Sequence, residues 1–183
     1  MTEISRSRAE PFAVETYEFD RDGGIPNSVM PLVVCRRVLP PGADLAQHFE
    51  QLFGEHDWSN AWRDGIFDFH HFHSTAHEAL GIAAGSARVR FGGPNGRSVA
   101  LGTGDVAILP AGTGHCSEWA SSDLLVIGAY PGGADYDIRR GDLAEYADVC
   151  ANIRRVMLPR EDPVSGCRGA LFDLWRHADL GPG

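Results

Sequence analysis

The middle of the chain alternates short apolar runs with turns rich in glycine, a pattern typical of β-structure. The runs are four to seven residues long, and each of them predicts a strand. They span residues 66–72, 77–83, 87–91, 98–101, 106–109, 114–119 and 124–130. Turn residues separate several of them, at 92–96, 102–105 and 110–112. Many short strands at close spacing predict an all-β sandwich or barrel.

Helical periodicity appears on both flanks of this region. Residues 44–53 repeat apolar side chains every three or four positions, which predicts a helix that stops at Gly54. Residues 142–155 repeat the same spacing and open with Asp142 and Glu145, the spacing of a capping box. Both segments therefore predict amphipathic helices that pack against the strand-rich region.

The remaining segments carry weaker patterns. Valines after Pro31 predict a short strand, the start of the chain to about Ala13 predicts a loose arm, and residues 159–175 predict turns. The length suits one domain, residues 1–183, with a β-rich core at residues 65–130 and helices at its periphery.

Composition excludes several classes of function. The 183 residues are 43% apolar and 22% charged, which is typical of a globular chain, and the formal net charge of -9 disfavours nucleic-acid partners. All 16 basic residues are arginine, which excludes a lysine Schiff base and a P-loop lysine. No apolar run reaches membrane-spanning length, the polar residues 1–10 lack the apolar run expected of a signal peptide, and the four cysteines form no CxxC pair. We therefore expect a cytoplasmic protein with no membrane partner.

Histidines cluster where predicted strands follow one another. Four of the eight histidines lie within residues 70–77. Side chains two apart on a strand share a face, so His71 and His73 should point to the same side, where Glu78 and His115 can join them from two further strands. Burying these groups unpaired would cost several kcal/mol. We therefore predict one divalent transition metal bound by all four side chains, with Fe, Mn, Ni, Zn, Co and Cu left open.

The same alternation turns two other histidines away from this site. We expect His70 to pack against an outer layer and His77 to be an ordinary polar residue at a strand edge. A register shift of one residue would instead exchange His70 and Phe72 with the predicted ligands. In the favoured register, His73→Ala should abolish metal binding and lower thermal stability, whereas His77→Ala should do neither.

These residues resemble the two signature motifs of the cupin superfamily. The first motif is Gly, five residues, His-x-His, three or four residues, Glu, six residues and Gly, and the chain meets it with Gly65, His71, His73, Glu78 and Gly85. The second is Gly, five residues, Pro-x-Gly, two residues, His, three residues and Asn, met by Gly104, Pro110, Gly112 and His115, with Trp119 in place of the asparagine. The segments 152–156 and 162–166 are similar to the tail of the bacterial YjlB-like cupins.

The resemblance implies a fold and a site but no single reaction. It implies a double-stranded β-helix, or jelly-roll, with the metal inside near one mouth and a few peripheral helices. It also implies a homodimer formed by strand exchange or sheet packing. Cupins include dioxygenases, isomerases, decarboxylases, epimerases, sugar-binding regulators and storage proteins, so the resemblance leaves the activity open.

The inferred interior is mainly apolar, as in many small-molecule sites. Strand alternation, counted from the predicted ligands, predicts that six further side chains point into this interior. They are Phe67, Phe69, Leu80, Ile82, Ser117 and Trp119. Of these, Phe69, Ser117 and Trp119 are the predicted substrate contacts, and the Trp119 indole could stack on an aromatic or enol substrate. We expect a metal-dependent enzyme acting on a small organic molecule, dioxygenase-like chemistry being favoured over isomerisation or epimerisation, with Glu78 as a ligand or a detaching base. A non-catalytic module that binds metal and ligand stays open.

Overall fold

The computed structural model describes residues 11–42 and 44–179, with side chains to residue 176. Nine strands, three α-helices and one 3₁₀ turn lie in these ranges. The strands are β1 (Ala13–Tyr17), β2 (Leu32–Arg36), β3 (Trp58–Asp64), β4 (Glu78–Ala84), β5 (Ser86–Phe91), β6 (Arg97–Gly102), β7 (Val106–Leu109), β8 (His115–Ala120) and β9 (Leu125–Pro131). The helices are α1 (Leu45–Glu55), α2 (Tyr146–Ile153) and α3 (Ala170–Asp179), and the 3₁₀ turn Leu143–Glu145 precedes α2.

Two antiparallel sheets face each other. The larger has six strands in the order β1-β2-β7-β4-β9-β3, and the smaller has three in the order β6-β5-β8. Strands far apart in the chain pair as neighbours, for example β2 with β7 and β4 with β9. The predicted all-β, jelly-roll architecture with a few peripheral helices is thereby confirmed.

Strand β4 is buried on both faces. Ala79 and Ala83 belong to a cluster with aromatic side chains of α1 and α3, whereas Leu80 and Ile82 belong to the cluster between the two sheets. This double burial explains why the strand is a nearly continuous apolar run rather than an alternating one. Glu78 opens β4 on the same face as Leu80, so the strand carries a carboxylate into the space between the sheets.

Helix α1 packs closely on the larger sheet because one position of β4 lacks a side chain. A Cβ at Gly81 would lie 2.8 Å from the ring of Phe49, which is completely buried. The helix continues to Glu55, one residue beyond the predicted stop at Gly54. None of the helices in the described ranges is long and apolar enough to cross a membrane.

The predicted strand at residues 66–72 is wrong. These residues form an irregular connection from β3 to β4, in which single-residue bridges join His71 to His115 and Phe72 to Arg139. The apolar run is produced by aromatic side chains that pack beside the site, not by a regular strand. The connection matters because it carries two of the predicted metal ligands.

Three elements had no clear signal in the pattern. Strand β3 is an edge strand with mostly exposed side chains, and β1 is only partly buried, so neither shows an apolar run. Helix α3 lies within and beyond the segment 159–175 that was predicted as turns. The predicted second helix is present as a 3₁₀ turn and α2, and Asp142 caps it by accepting from the backbone N–H of Ala144. Most of the predicted arm, residues 1–10, lies outside the described residues.

Candidate metal centre

Three imidazoles meet between the two sheets. His71 and His73 lie in the connection before β4, and His115 is the first residue of β8. All three side chains are buried, and one nitrogen of each ring lies within 4.8 Å of the corresponding atoms of the other two. The structure therefore brings the three predicted histidine ligands to one point.

Backbone hydrogen bonds hold these residues although two of them lie outside any strand. His71 and His115 exchange N–H···O bonds of 3.1 and 2.8 Å, and the carbonyl of His73 accepts from Gly112 N–H at 2.8 Å. Gly112 has φ 93°, a conformation that favours glycine, and it lies in the Pro-Ala-Gly turn. The two segments that resemble the cupin motifs are thus tied directly to each other.

Each imidazole directs its Nδ1 atom at a backbone carbonyl. The pairs are His71 with Phe69 at 3.1 Å, His115 with Thr113 at 3.3 Å, and His73 with Asp137. A carbonyl oxygen can only accept, so each Nδ1 carries a hydrogen, and in the neutral form of each ring the Nε2 keeps a free lone pair. This arrangement is the one that metal-binding histidines usually adopt.

Glu78 lies beside the triad. Its Oε1 is 3.3 Å from His73 Nε2, and its Oε2 is 3.5 Å from His115 Nε2. Oε1 also accepts from the Tyr130 hydroxyl at 2.7 Å, whereas Oε2 is buried with no hydrogen-bond partner among the described residues. Donor atoms that share a cation at about 2.1 Å stand about 3.0–3.4 Å apart, so these spacings are close to those of neighbouring ligands.

Burial and charge set the protonation of the four groups. Burial lowers the pKa of His71 and lowers that of His115 to about 3, so both rings are neutral near pH 7. Burial also acts to lower the pKa of His73, but the Glu78 carboxylate outweighs it and the net shift is upward. Burial acts to raise the pKa of Glu78, but the facing imidazoles of His73 and His115 lower it to about 2. The carboxylate is therefore anionic.

A cavity of about 170 Å³ opens onto these four groups. Its other walls are mainly aromatic and aliphatic, formed by Trp62, Ile66, Phe67, Leu80, Tyr130, Tyr136 and Ile138. Arg63 is the only arginine among the described lining residues, and it donates two hydrogen bonds of 2.7 and 2.8 Å to Glu50. The cavity thus combines a polar floor with apolar walls.

The predicted substrate contacts lie outside this cavity. Phe67 and Leu80 line it as the alternation predicts, but Phe69, Ser117 and Trp119 do not. Strand β8 is buried only in its first two residues, and Trp119 is 53% exposed. Phe69 stacks on Phe67 with ring centroids 4.8 Å apart. The alternation failed for Phe69 because residues 66–72 are not a strand, and for Trp119 because the pairing of β8 with β5 shifts register before it.

The two histidines predicted to face away differ from each other. His70 is half-buried and lies outside the triad. His77 is buried, its Nδ1 accepts from Ala111 N–H at 2.9 Å, and its ring centroid lies 4.7 Å from that of Trp175. The prediction of an ordinary polar residue at a strand edge is therefore wrong for His77. His77→Ala would leave a cavity and an unpaired backbone N–H, so it is not a neutral change for stability.

Sequence reasoning missed several residues of the site, among them two from the segment after β9 and two on strands β3 and β9. Tyr136 and Ile138 come from the segment after β9, and the side chain of Asp137 between them accepts from Ser74 N at 2.6 Å. Tyr136 and Ile138 had no sequence signal, because nothing in the pattern folds that segment back over the site. Trp62 lies on the unpredicted β3, and Tyr130 ends an apolar strand. A tyrosine at the end of a buried strand needs a partner for its hydroxyl, which is the signal that could have found Tyr130.

The residues present fit a divalent metal. Three neutral imidazoles and one carboxylate are the donor set that borderline divalent cations bind. The buried Oε2 of Glu78 has no hydrogen-bond partner in the part of the chain described, an arrangement that costs several kcal/mol unless a cation compensates it.

Comparison with known proteins gives one close relative and several distant structures. No protein-family model matches the chain. The chain is 39% identical over 162 residues to the uncharacterized protein YjlB of Bacillus subtilis strain 168, an alignment that covers 88% of this chain and 96% of that protein.

Among solved structures, acireductone dioxygenase from Bacillus anthracis, with a cadmium ion in its active centre, aligns at 15% identity over 50% of this chain and 61% of that one, with a TM-score of 0.37. A mutant of Bacillus subtilis oxalate decarboxylase aligns at 17% identity over 61% of this chain and 23% of that one, with a TM-score of 0.34. The chain thus spans less than two thirds of either solved protein, and overlaps of this quality say nothing about its activity.

Proposed function

We propose that this chain, which belongs to the YjlB-like family of cupins, is a metal-dependent enzyme that acts on a small apolar, aromatic or enol-type molecule. Dioxygenase-like chemistry is the favoured class. The proposed metal ligands are His71, His73, Glu78 and His115. One observation carries the proposal: three Nε2 atoms with free lone pairs converge beside a buried carboxylate oxygen that has no hydrogen-bond partner among the described residues.

The cavity supports a substrate on the scale of one ring. An apolar cavity of about 150 Å³ engineered in another protein binds benzene, and this one measures about 170 Å³. The stacked rings of Tyr130 and Tyr136, 4.3 Å apart, offer a flat wall for a planar molecule. Because Arg63 is already bound to Glu50, the described lining offers no free cation for a phosphate group.

The chain's own residues would bind and orient such a substrate. When bound, a divalent metal supplies Lewis-acid polarisation of a substrate oxygen, and a redox-active one also supplies electrons for dioxygen chemistry. The aromatic and aliphatic walls exclude water around the substrate and leave its oxygen atoms to face the four donors. The facing imidazoles hold the pKa of Glu78 at about 2 against burial, and so low a pKa favours a ligand role over that of a detaching base.

Metal analysis and spectroscopy test the proposal. Elemental analysis of the purified protein should find about one divalent metal per chain, and His73→Ala should remove it. The Co(II) or Fe(II) form should then change its spectrum on addition of azide or nitric oxide, because an open coordination position binds them. Absence of metal would refute the proposed metal site. A metal whose spectrum changes with neither azide nor nitric oxide would refute the proposed enzymatic activity.

A pair of matched variants tests whether the cavity admits the substrate. Ile138 lies at the cavity wall and is 46% exposed, whereas Leu143 is 64% exposed on the 3₁₀ turn and does not line the cavity. Ile138→Arg should retain metal but abolish the spectral change caused by a small 1,3-diketone. Leu143→Arg should retain both. Equal responses of the two variants would show that ligands reach the metal by another route.

A dioxygen-uptake assay with small enols and aromatic compounds separates the classes of activity. Oxygen consumption that depends on the metal identifies dioxygenase-like chemistry. Turnover with a flat oxygen trace identifies metal-assisted isomerisation or epimerisation. Binding without turnover identifies a non-catalytic metal- and ligand-binding module. The predicted homodimer and cytoplasmic location stay predictions, and light scattering on the purified protein tests the first of them.

A further inference from the structure

Three side chains form a hydrogen-bonded chain that ends on the carboxylate of the centre. Trp62 Nε1–H donates to the Tyr130 hydroxyl at 2.8 Å, and the Tyr130 hydroxyl donates to Glu78 Oε1 at 2.7 Å. An indole N–H can only donate, and an ionised carboxylate can only accept. Both bonds therefore run in one direction, from Trp62 through Tyr130 to Glu78.

The fold places Trp62 through an irregular edge strand. The pairing of β3 with β9 shifts register between Ser59 and Trp62, and Asn60 within this bulge has φ 54°. The indole then lies against Gly128 of β9, where any Cβ would collide with its ring atoms. Gly128 thus leaves the space through which Trp62 reaches the hydroxyl of Tyr130.

We propose that Tyr130 is a positioning residue for the metal centre and that Trp62 holds it in place. The Tyr130 hydroxyl donates to Oε1 of Glu78, the oxygen that faces His73 Nε2, and this bond fixes the carboxylate so that Oε2, which has no hydrogen-bond partner in the described structure, lies beside His115 Nε2. Tyr130 acts through Glu78 and is not itself a ligand. This inference rests on the proposed metal site, since it concerns how one ligand of that site is aimed.

Loss of the hydroxyl should weaken metal binding because the carboxylate could then rotate about its last bond. Outer hydrogen-bond partners of metal ligands typically contribute about 10- to 100-fold in affinity. Tyr130→Phe, which keeps the ring, should therefore weaken Co(II) binding about tenfold or more in a competition titration. Trp62→Phe should weaken it less, because the hydroxyl remains but loses one of its two partners.

A matched control exists on the opposite edge of the larger sheet. Tyr17 lies on β1, and its hydroxyl donates to Glu15 at 2.6 Å, so Tyr17→Phe removes the same kind of hydrogen bond away from the centre. Tyr17→Phe should leave the Co(II) affinity and the visible spectrum of the Co(II) form unchanged. Tyr130→Phe should change that spectrum, because the mode of carboxylate binding changes. An unchanged spectrum together with unchanged affinity in Tyr130→Phe would overturn the inference.

A double-mutant cycle separates positioning from a general structural effect. In a Glu78→Ala background the three imidazoles remain, but the side-chain oxygen that accepts from Tyr130 is gone. Adding Tyr130→Phe there should change the Co(II) affinity by a factor close to one. The same loss in both backgrounds would mean that Tyr130 acts on the fold, and would overturn the inference. A wild-type protein that binds no metal would overturn the proposed function as well, whereas wild-type binding with an unaffected Tyr130→Phe variant overturns this inference alone.

Discussion

Replacing His77 with glutamine should reduce the amount by which the free energy of unfolding of the metal-free protein falls at acid pH. His77 is 1% exposed, its ring lies against Trp175, and its Nδ1 accepts from the backbone N–H of Ala111. Only the neutral imidazole can accept that hydrogen bond. Burial lowers the pKa of His77 to about 4 from an ordinary value of 6.5.

The size and sign of the effect follow from linkage. Between the two pKa values the unfolded chain binds a proton at His77 that the folded chain does not bind, so stability falls as the pH falls from 6.5 toward 4. The loss amounts to about 1 kcal/mol at pH 5.5 and to between about 2 and 3 kcal/mol at pH 4.5, and it approaches about 3 kcal/mol below the folded pKa. Above pH 7 this contribution disappears.

Urea unfolding of the chelated protein at pH 7.5, 5.5 and 4.5 measures the effect. Chelation removes any metal, so the other histidines contribute equally to wild type and variant, and their contributions cancel in the difference. His77→Gln starts from a lower stability at pH 7.5, because it loses the contact with Trp175. Its stability should then fall less than that of wild type, by between about 2 and 3 kcal/mol at pH 4.5. His48→Gln, on the exposed face of α1, controls for the loss of one imidazole.

Parallel curves for wild type and His77→Gln would refute this reasoning. They would mean that His77 is solvated in the folded protein, and that the bond from Ala111 does not depend on its neutral form. The result bears on function because Ala111 lies in the turn that leads to His115, while His77 directly precedes Glu78. The neutral imidazole thus joins two segments that carry proposed ligands.

Three further predictions concern the centre itself. His73→Ala should abolish stoichiometric metal binding in elemental analysis after dialysis, whereas His70→Ala, which removes a neighbouring imidazole outside the triad, should retain it. Asp137→Asn should weaken metal binding about tenfold and lower the melting temperature, because an amide cannot accept as many hydrogen bonds around Ser74 as the carboxylate does. Metal affinity should fall as the pH falls through the pKa of His73, which is raised despite burial by the Glu78 carboxylate, because proton and metal compete for one nitrogen. A flat competition titration between pH 8 and pH 5 would contradict the last prediction.

Most of the strands and the donor set were predictable because each depends on local spacing. Short apolar runs and glycine turns mark the central strands, and the inward direction of Leu80 and Ile82 follows from that of Glu78 because side chains two apart on a strand share a face. The histidines were found because their spacing resembles a motif, although the assumed strand at 66–72 does not exist. The ligand positions survived this error because the bridge from His71 to His115 sets them, not a continuous ladder.

The walls of the cavity could not be predicted in the same way. Trp119 was favoured because strand alternation from His115 directs it inward, but the pairing of β8 with β5 shifts register before Trp119 and the indole is 53% exposed. The residues that do line the wall, Tyr136 and Ile138, lie in a segment whose position depends on the Asp137 side chain and its bonds to Ser74, 63 residues earlier. Contacts of that range leave no periodic pattern in the chain.

Asp137 couples the proposed metal site to the cavity wall. His71 and His115 take their orientation from carbonyls two residues earlier, but His73 takes its orientation from the carbonyl of Asp137. The residues on either side of Asp137 line the cavity, so one backbone segment both aims a proposed ligand and forms the surface that a substrate would touch. A molecule that displaces this wall must therefore also turn the His73 ring. The ligand field of a bound Co(II) ion should report substrate entry for that reason, even when the substrate does not itself bind the metal.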